Sequence, residues 1–124
     1  MNKKRPVNLE LNTLKFPPTA IASILHRVTG VAMFFALLFV IWAWAASVSS
    51  LDGFNNVQTL MNGSFGKIIM IGTLSALSYH IIGGIRHGIM DMGYWEELQS
   101  GNISARLAIG LWLVLSIALG VILW

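Results

Sequence analysis

Three histidines are the residues best able to carry chemistry in this sequence, and one of them lies inside an apolar segment. Residues 68–85 form an eighteen-residue run without a formal charge, and His80 lies within that run. An ionisable side chain inside a membrane segment is costly, so it suggests a proton path, a ligand contact or a metal site. Imidazole is also a common ligand of metals, including the iron of haem. A hydrogen bond to a neighbouring helix is the alternative role for His80.

The spacing of the polar residues predicts which of them can act together. Ser23, His26 and Arg27 are three and four residues apart, so a helix would place them on one face. His80 and His87 are seven residues apart, which gives them a shared face but separates them by about 10 Å along the helix axis. The two therefore cannot ligate one iron, and the deeper His80 is the predicted ligand.

A haem bound through His80 would direct its two carboxylates towards the nearby membrane interface. Carboxylates at that depth need cations or hydrogen-bond donors. The candidate partners are His26, Arg27, Arg86 and His87. A haem iron takes two axial ligands and this chain offers only His80 at depth, so a partner helix must supply the other.

Three glycines and one acidic residue lie close to His80 and His87 in the sequence. Gly83 and Gly84 lie between the two histidines and leave room for a flat macrocycle or a close helix. Gly84-x-x-x-Gly88 would permit the close helix. His87 and Asp91 are four residues apart and can form an ion pair.

Ser23 and Arg27 also suit a quinone. A quinone carbonyl needs a hydrogen-bond donor, and its reduction needs protons from the aqueous side. A hydroxyl, a guanidinium and the imidazole of His26 at the interface supply both. Other interpretations stay open, with Arg27 as an interfacial anchor and Ser23 as a helix-packing residue.

The composition is that of a membrane protein. Of the 124 residues, 56% are hydrophobic and 10% are charged, whereas a soluble domain is about a quarter charged. Uncharged runs at 28–48, 68–85 and 107–124 can each cross a core of about 30 Å as a helix. We predict an all-α membrane protein, with a single transmembrane domain after a cytoplasmic segment at 1–18. The three transmembrane helices are predicted at about residues 19–48, 67–90 and 105–124. Between the first two, Asp52-Gly53 and Asn62-Gly63 indicate turns.

The basic residues predict the orientation. Five of them precede or begin the first run: Lys3, Lys4, Arg5, Lys15 and Arg27. Two more flank the second loop, and only one lies in the first loop. The N-terminus is therefore predicted to be cytoplasmic and the C-terminus periplasmic. The net charge of +3 fits membrane orientation better than nucleic-acid binding. The absence of cysteine excludes disulfides, iron–sulfur clusters and covalent CxxCH haem attachment within this chain.

The chain resembles a known family, the cytochrome b membrane-anchor subunit of bacterial succinate dehydrogenase. Its N-terminal segment is similar to residues 5–30, RPVNLELNTLKFPPTAIASILHRVTG, and its second helix to residues 75–94, SALSYHIIGGIRHGIMDMGY. The resemblance covers most of the chain. It depends on the joint occurrence of an S-x-x-H-R motif and an H-x6-H-x3-D pattern.

The resemblance implies a place in succinate:ubiquinone oxidoreductase, or complex II, in the bacterial inner membrane. A flavoprotein subunit would oxidise succinate, an iron–sulfur subunit would relay the electrons, and this chain would pass them to ubiquinone. The succinate-oxidising site would not lie in this chain. A second small three-helix anchor subunit would share one haem b with this chain, and lipid would surround both.

The resemblance also implies roles for individual residues. It makes His80 the axial haem ligand of this chain, with a histidine of the partner anchor as the other ligand. It assigns Ser23 and Arg27 to ubiquinone. It places His26 between quinone and haem propionate, and makes His87 a propionate contact.

Two other functions stay open. The chain could be the anchor of a fumarate reductase or of another b-type quinone oxidoreductase, since the direction of flux depends on cofactors in other subunits. It could also belong to a transporter in which His80 and His87 form a proton relay.

Overall fold

A computed structural model describes residues 7, 9–10, 12 and 14–124, and helices make up most of this part of the chain. The helices are α1 (Pro18–Ser49), α2 (Leu51–Asn62), α3 (Ser64–Asp91) and α4 (Leu98–Leu123). No strand occurs among the described residues. Three of the helices, α1, α3 and α4, are long and apolar enough to cross a membrane, which confirms the predicted all-α class. The basic residues at 3–5 lie outside the described residues.

The start of α1 is defined by two prolines. Pro17 is the N-cap, and its carbonyl accepts hydrogen bonds from the backbone N–H groups of Ala20 and Ile21 at 3.0 and 3.2 Å. Pro18 occupies the first turn, where a missing N–H costs nothing. The 32 residues of α1 span about 48 Å, which exceeds a hydrocarbon core of about 30 Å. The early turns that carry His26 and Arg27 can therefore lie at a membrane interface.

The first loop contains a helix that the sequence analysis did not predict. The two pairs interpreted as turns, Asp52-Gly53 and Asn62-Gly63, lie at the two ends of α2. Ser50 caps its start, because its hydroxyl accepts a hydrogen bond from the Gly53 N–H at 2.9 Å. Asp52 in the first turn complements the positive end of the helix dipole. The turn signals were thus helix-end signals, and the residues between them form three helical turns.

Tyr79 joins α3 to both of its long neighbours. Its side chain is fully buried, and its hydroxyl donates to the Ala22 carbonyl of α1 at 2.6 Å. The edge of its ring meets Trp112 of α4, with centroids 5.1 Å apart. The Trp112 indole N–H in turn donates to the Ser75 carbonyl of α3 at 3.0 Å. Lipid is as apolar as the helix surfaces, so the hydrophobic effect does not drive membrane helices together. Interhelical hydrogen bonds such as these contribute to their association instead.

Contacts at the two ends of the bundle show that the long helices alternate in direction. At one end, the Lys67 ammonium at the start of α3 donates to the Trp124 carbonyl at 2.7 Å. At the other end, a Cβ built on Gly101 would lie 3.3 Å from the Thr19 Cγ2 atom, so the starts of α1 and α4 approach closely. This arrangement is compatible with the predicted orientation, which stays a prediction.

Candidate functional site

Three histidines form one cluster between α1 and α3, which we call the histidine cluster: His26, His80 and His87. The His26 and His80 rings stack almost parallel, with centroids 4.1 Å apart and planes inclined by 11°. The His87 ring meets His26 edge-on at 5.2 Å. All three side chains are half-buried. His26 of α1 therefore bridges the two histidines that lie nearly two turns apart on α3.

Glycines on both helices make the stacking of His26 and His80 sterically possible. A Cβ added at Gly83 of α3 would lie 2.9 Å from His26 Cδ2, which is too close for an unmoved ring. A Cβ added at Gly30 of α1 would lie 3.1 Å from His80 Cε1. Each helix thus presents bare backbone to the histidine of the other.

Gly84 and Gly88 do not act as a helix-packing pair in this chain. A Cβ at Gly84 would meet the His26 imidazole at 3.7 Å, whereas a Cβ at Gly88 would meet nothing within 4 Å. The free space beside Gly83 and Gly84 is therefore filled by a side chain and not by the backbone of a neighbouring helix.

Thr29 is a further member of this site that the sequence analysis missed. It is 7% exposed, and its hydroxyl lies 3.0 Å from the His26 carbonyl and 3.4 Å from His80 Nδ1. It is three residues from His26, the same spacing that linked Ser23 to His26. That spacing could have indicated Thr29, but a threonine in an apolar helix is common enough to be overlooked.

Ser23 and Arg27 lie next to the histidine cluster in α1 but form no hydrogen bond or ion pair with it within the described part of the chain. Ser23 is half-buried and Arg27 is exposed on α1. Neither side chain forms a hydrogen bond or an ion pair within the described part of the chain. Both groups are therefore available to a ligand at the surface next to His26.

Arg86 does not belong to the histidine cluster, although it precedes His87. It is 4% exposed and directed at α4, where its Nε–H donates to Ser104 Oγ at 3.0 Å and its Nη2–H to the Gly101 carbonyl at 3.2 Å. The prediction of Arg86 as a carboxylate partner of the ligand was wrong. One position along a helix turns a side chain by about 100°, which directs Arg86 towards α4 while His87 contacts α1.

The predicted ion pair between His87 and Asp91 is also absent from the described residues. Asp91 is exposed at the last position of α3, and the His87 ring contacts His26 instead. A spacing of four residues brings two side chains within reach, but an ion pair with an exposed carboxylate at a helix end contributes little stability.

Comparison with known proteins agrees with this architecture. A sequence model described as succinate dehydrogenase/fumarate reductase transmembrane subunit matches residues 1–119. A protein of Coxiella burnetii named succinate dehydrogenase cytochrome b556 subunit is 36% identical over 100% of both chains. Proteins with the same name are 37% identical in Rickettsia felis, over 98% of this chain and 91% of the relative, and 32% identical in Paracoccus denitrificans, over 91% and 87%.

These matches extend over nearly the whole chain and include all three helices that can cross a membrane. The bacterial relatives place the protein in the inner membrane. The resemblance identified from the two sequence stretches is confirmed. The chain belongs to the family of succinate dehydrogenase/fumarate reductase transmembrane subunits.

Proposed function

We propose that this chain is the haem b- and ubiquinone-binding anchor of a succinate dehydrogenase, and that it takes part in electron transfer from the iron–sulfur subunit to ubiquinone. The observation that carries the proposal is the stacking of His26 on His80 at 4.1 Å. Through this contact the candidate haem ligand on α3 lies next to the turns of α1 that carry Ser23 and Arg27. The names of the relatives support the same conclusion.

The surroundings of His80 fit a haem ligand. Its Nδ1–Cε1 edge lies against α1, with Nδ1 3.4 Å from the Thr29 hydroxyl and Cε1 3.1 Å from a Cβ built on Gly30. Its Nε2 has no hydrogen-bond partner within the described part of the chain. Nε2 is therefore the nitrogen that would hold the iron. When bound, the haem would supply a one-electron carrier. His26, Arg27 and His87 would hold its propionates.

The quinone would bind as the substrate at Ser23 and Arg27 on α1. The Ser23 hydroxyl and the Arg27 guanidinium would donate hydrogen bonds to one quinone carbonyl. The fixed charge of Arg27 would stabilise the negative charge that this oxygen gains on reduction. His26, one position before Arg27, can pass a proton to the same oxygen.

The assembly would be completed by other subunits. A second small anchor subunit would supply the other histidine that holds the haem, because His80 is the one iron ligand proposed in this chain. The iron–sulfur subunit and the flavoprotein subunit would bind on the side of the early turns of α1. The outward-facing apolar side chains of α1 and α4, such as Phe34, Leu38 and Val114, would contact the partner anchor or lipid.

The experiment that tests the proposal is a dithionite-reduced minus oxidised spectrum of the purified complex that contains this chain. A sharp α-band of a low-spin b-type haem is expected, together with succinate-dependent reduction of ubiquinone. An intact complex without any haem band would contradict the proposal and favour a haem-free anchor or a proton-relay subunit. Assays in both directions separate succinate oxidation from fumarate reduction.

A methyl group at Gly83 is expected to impair quinone reduction by displacing His26. The new Cβ would lie 2.9 Å from the ring, so the imidazole must shift by several tenths of an ångström. Such a shift of a proton donor lowers a catalytic rate by about tenfold. The measurement is succinate:ubiquinone reductase activity in Gly83→Ala, normalised to the reduction of a soluble dye by the flavoprotein.

Gly88→Ala is the matched control, because the same substitution in the same helix meets nothing within 4 Å in this chain. It should retain the wild-type rate. Equal rates in the two variants would show that His26 does not need its observed position.

A further inference from the structure

We infer that Thr29 holds His80 in the tautomer and orientation that an iron ligand requires, so that it acts as a positioning residue for the haem. This inference rests on the proposed role of His80. It concerns a side chain that would touch neither iron nor quinone. Three observations carry it: the burial of Thr29, the partners of its hydroxyl, and the packing of the His80 ring edge.

The single proton of the Thr29 hydroxyl is already used in a hydrogen bond to the backbone. Oγ1 lies 3.0 Å from the carbonyl of His26, one turn earlier in α1, and this oxygen can only accept. The hydroxyl therefore donates to the backbone. Its remaining capacity is as an acceptor. Because Thr29 is 7% exposed, water cannot easily take that role.

The group that meets the free lone pair of Thr29 is His80 Nδ1, at 3.4 Å. Since the hydroxyl is an acceptor in this contact, Nδ1 must carry the hydrogen. A neutral imidazole has one N–H and one lone pair, so His80 Nε2 has the lone pair. This is the tautomer in which Nε2 can ligate a metal.

The orientation of the His80 ring is defined by the same turn of α1. His26 covers one face of the ring at 4.1 Å, and Gly30 borders its Cε1 atom. Thr29 lies between these two residues in the sequence and faces Nδ1. Rotation of the ring about its Cβ–Cγ bond would break the hydrogen bond to Thr29 while leaving the stacking partner in place. The hydroxyl is thus the contact that distinguishes the two nitrogens.

The chemical consequence is a stronger ligand. A hydrogen bond from the outer N–H of a metal-bound histidine raises the electron donation of the imidazole, and its loss typically weakens metal affinity by about 10- to 100-fold. Stronger donation stabilises ferric iron more than ferrous iron. Thr29 should therefore both retain the haem and lower its midpoint potential.

The test compares Thr29→Val with Thr29→Ser in the purified complex. Valine has nearly the same shape but no hydroxyl, whereas serine keeps the hydroxyl. In Thr29→Val we expect haem transfer to apomyoglobin to become about tenfold faster and the haem midpoint potential to rise. In Thr29→Ser both quantities should return towards the wild-type values. A structural role of threonine in packing would not produce rescue by the smaller serine.

Thr59→Val is the control for loss of a threonine hydroxyl. Thr59 Oγ1 donates to the Asn55 carbonyl of its own helix at 2.9 Å but meets no histidine. It should leave the haem unchanged. Wild-type haem retention and potential in Thr29→Val would overturn the inference. Failure of the proposed function would look different, because the wild-type complex would then lack a haem band, or His80→Ala would leave that band unchanged.

Discussion

The His80→Ala complex is expected to lose its b-type α-band, or to show a shifted band of a haem with one protein ligand. The imidazole supplies the one iron ligand proposed in this chain, and alanine offers no replacement. Loss of a direct ligand should weaken haem binding by more than the about 10- to 100-fold typical of substitutions in the surrounding shell. The measurement is the reduced minus oxidised spectrum, with total haem determined per mole of flavoprotein subunit.

His87→Ala provides the control on the same helix. His87 contacts His26 edge-on and is proposed to contact a propionate, so its loss should leave the α-band in place. An unchanged spectrum in His80→Ala would remove the ligand assignment. Loss of the band in His87→Ala alone would transfer that assignment to His87 and contradict the depth argument on which His80 was chosen.

The Arg27→Ala complex is expected to lose quinone reductase activity by about 10²- to 10³-fold while its haem stays assembled. The exposed guanidinium has no partner within the described part of the chain, so it is free to bind the quinone oxygen. If Arg27 binds the quinone as proposed, its removal would leave the negative charge of the reduced oxygen without a fixed counter-charge. The measurement is succinate-dependent reduction of a short-chain ubiquinone, with dye reduction to report the flavoprotein.

Two further variants sharpen this experiment. Arg27→Lys keeps the charge but loses the forked donor geometry, so its rate should lie between those of wild type and Arg27→Ala. Arg106→Ala removes an exposed arginine on the predicted cytoplasmic side and should have the wild-type rate. Normal quinone turnover in Arg27→Ala would show that the quinone binds elsewhere.

The sequence by itself determined that this is an all-α membrane protein, and it identified the candidate ligand-binding residues. Uncharged runs of this length fit a membrane as helices, because a helix pairs its own backbone N–H and C=O groups. A histidine such as His80 is conspicuous there because almost every other side chain is apolar. The motif Ser23–Arg27 and the pattern around His80 then identified the family, which the comparisons confirm.

Short sequence patterns were less reliable predictors where the same residue types favour two different local structures. Asp52-Gly53 and Asn62-Gly63 are turn formers, but the same residue types also begin and end helices, and in this chain they bound α2. Choosing between the two requires the interactions of the intervening residues. These include the Ser50 cap and the packing of Gly53 against the end of α1.

Only the tertiary structure decided which neighbour each face of α3 contacts. In a soluble helix the apolar stripe marks the inner face, but in a membrane helix both the lipid face and the packed face are apolar, so periodicity carries little information. The sequence therefore could not direct Arg86 to Ser104 of α4, or His80 to Thr29 of α1. Those assignments depend on how three helices rotate about their axes. In this chain Gly30 and Gly83 leave the space that the His80 and His26 rings occupy.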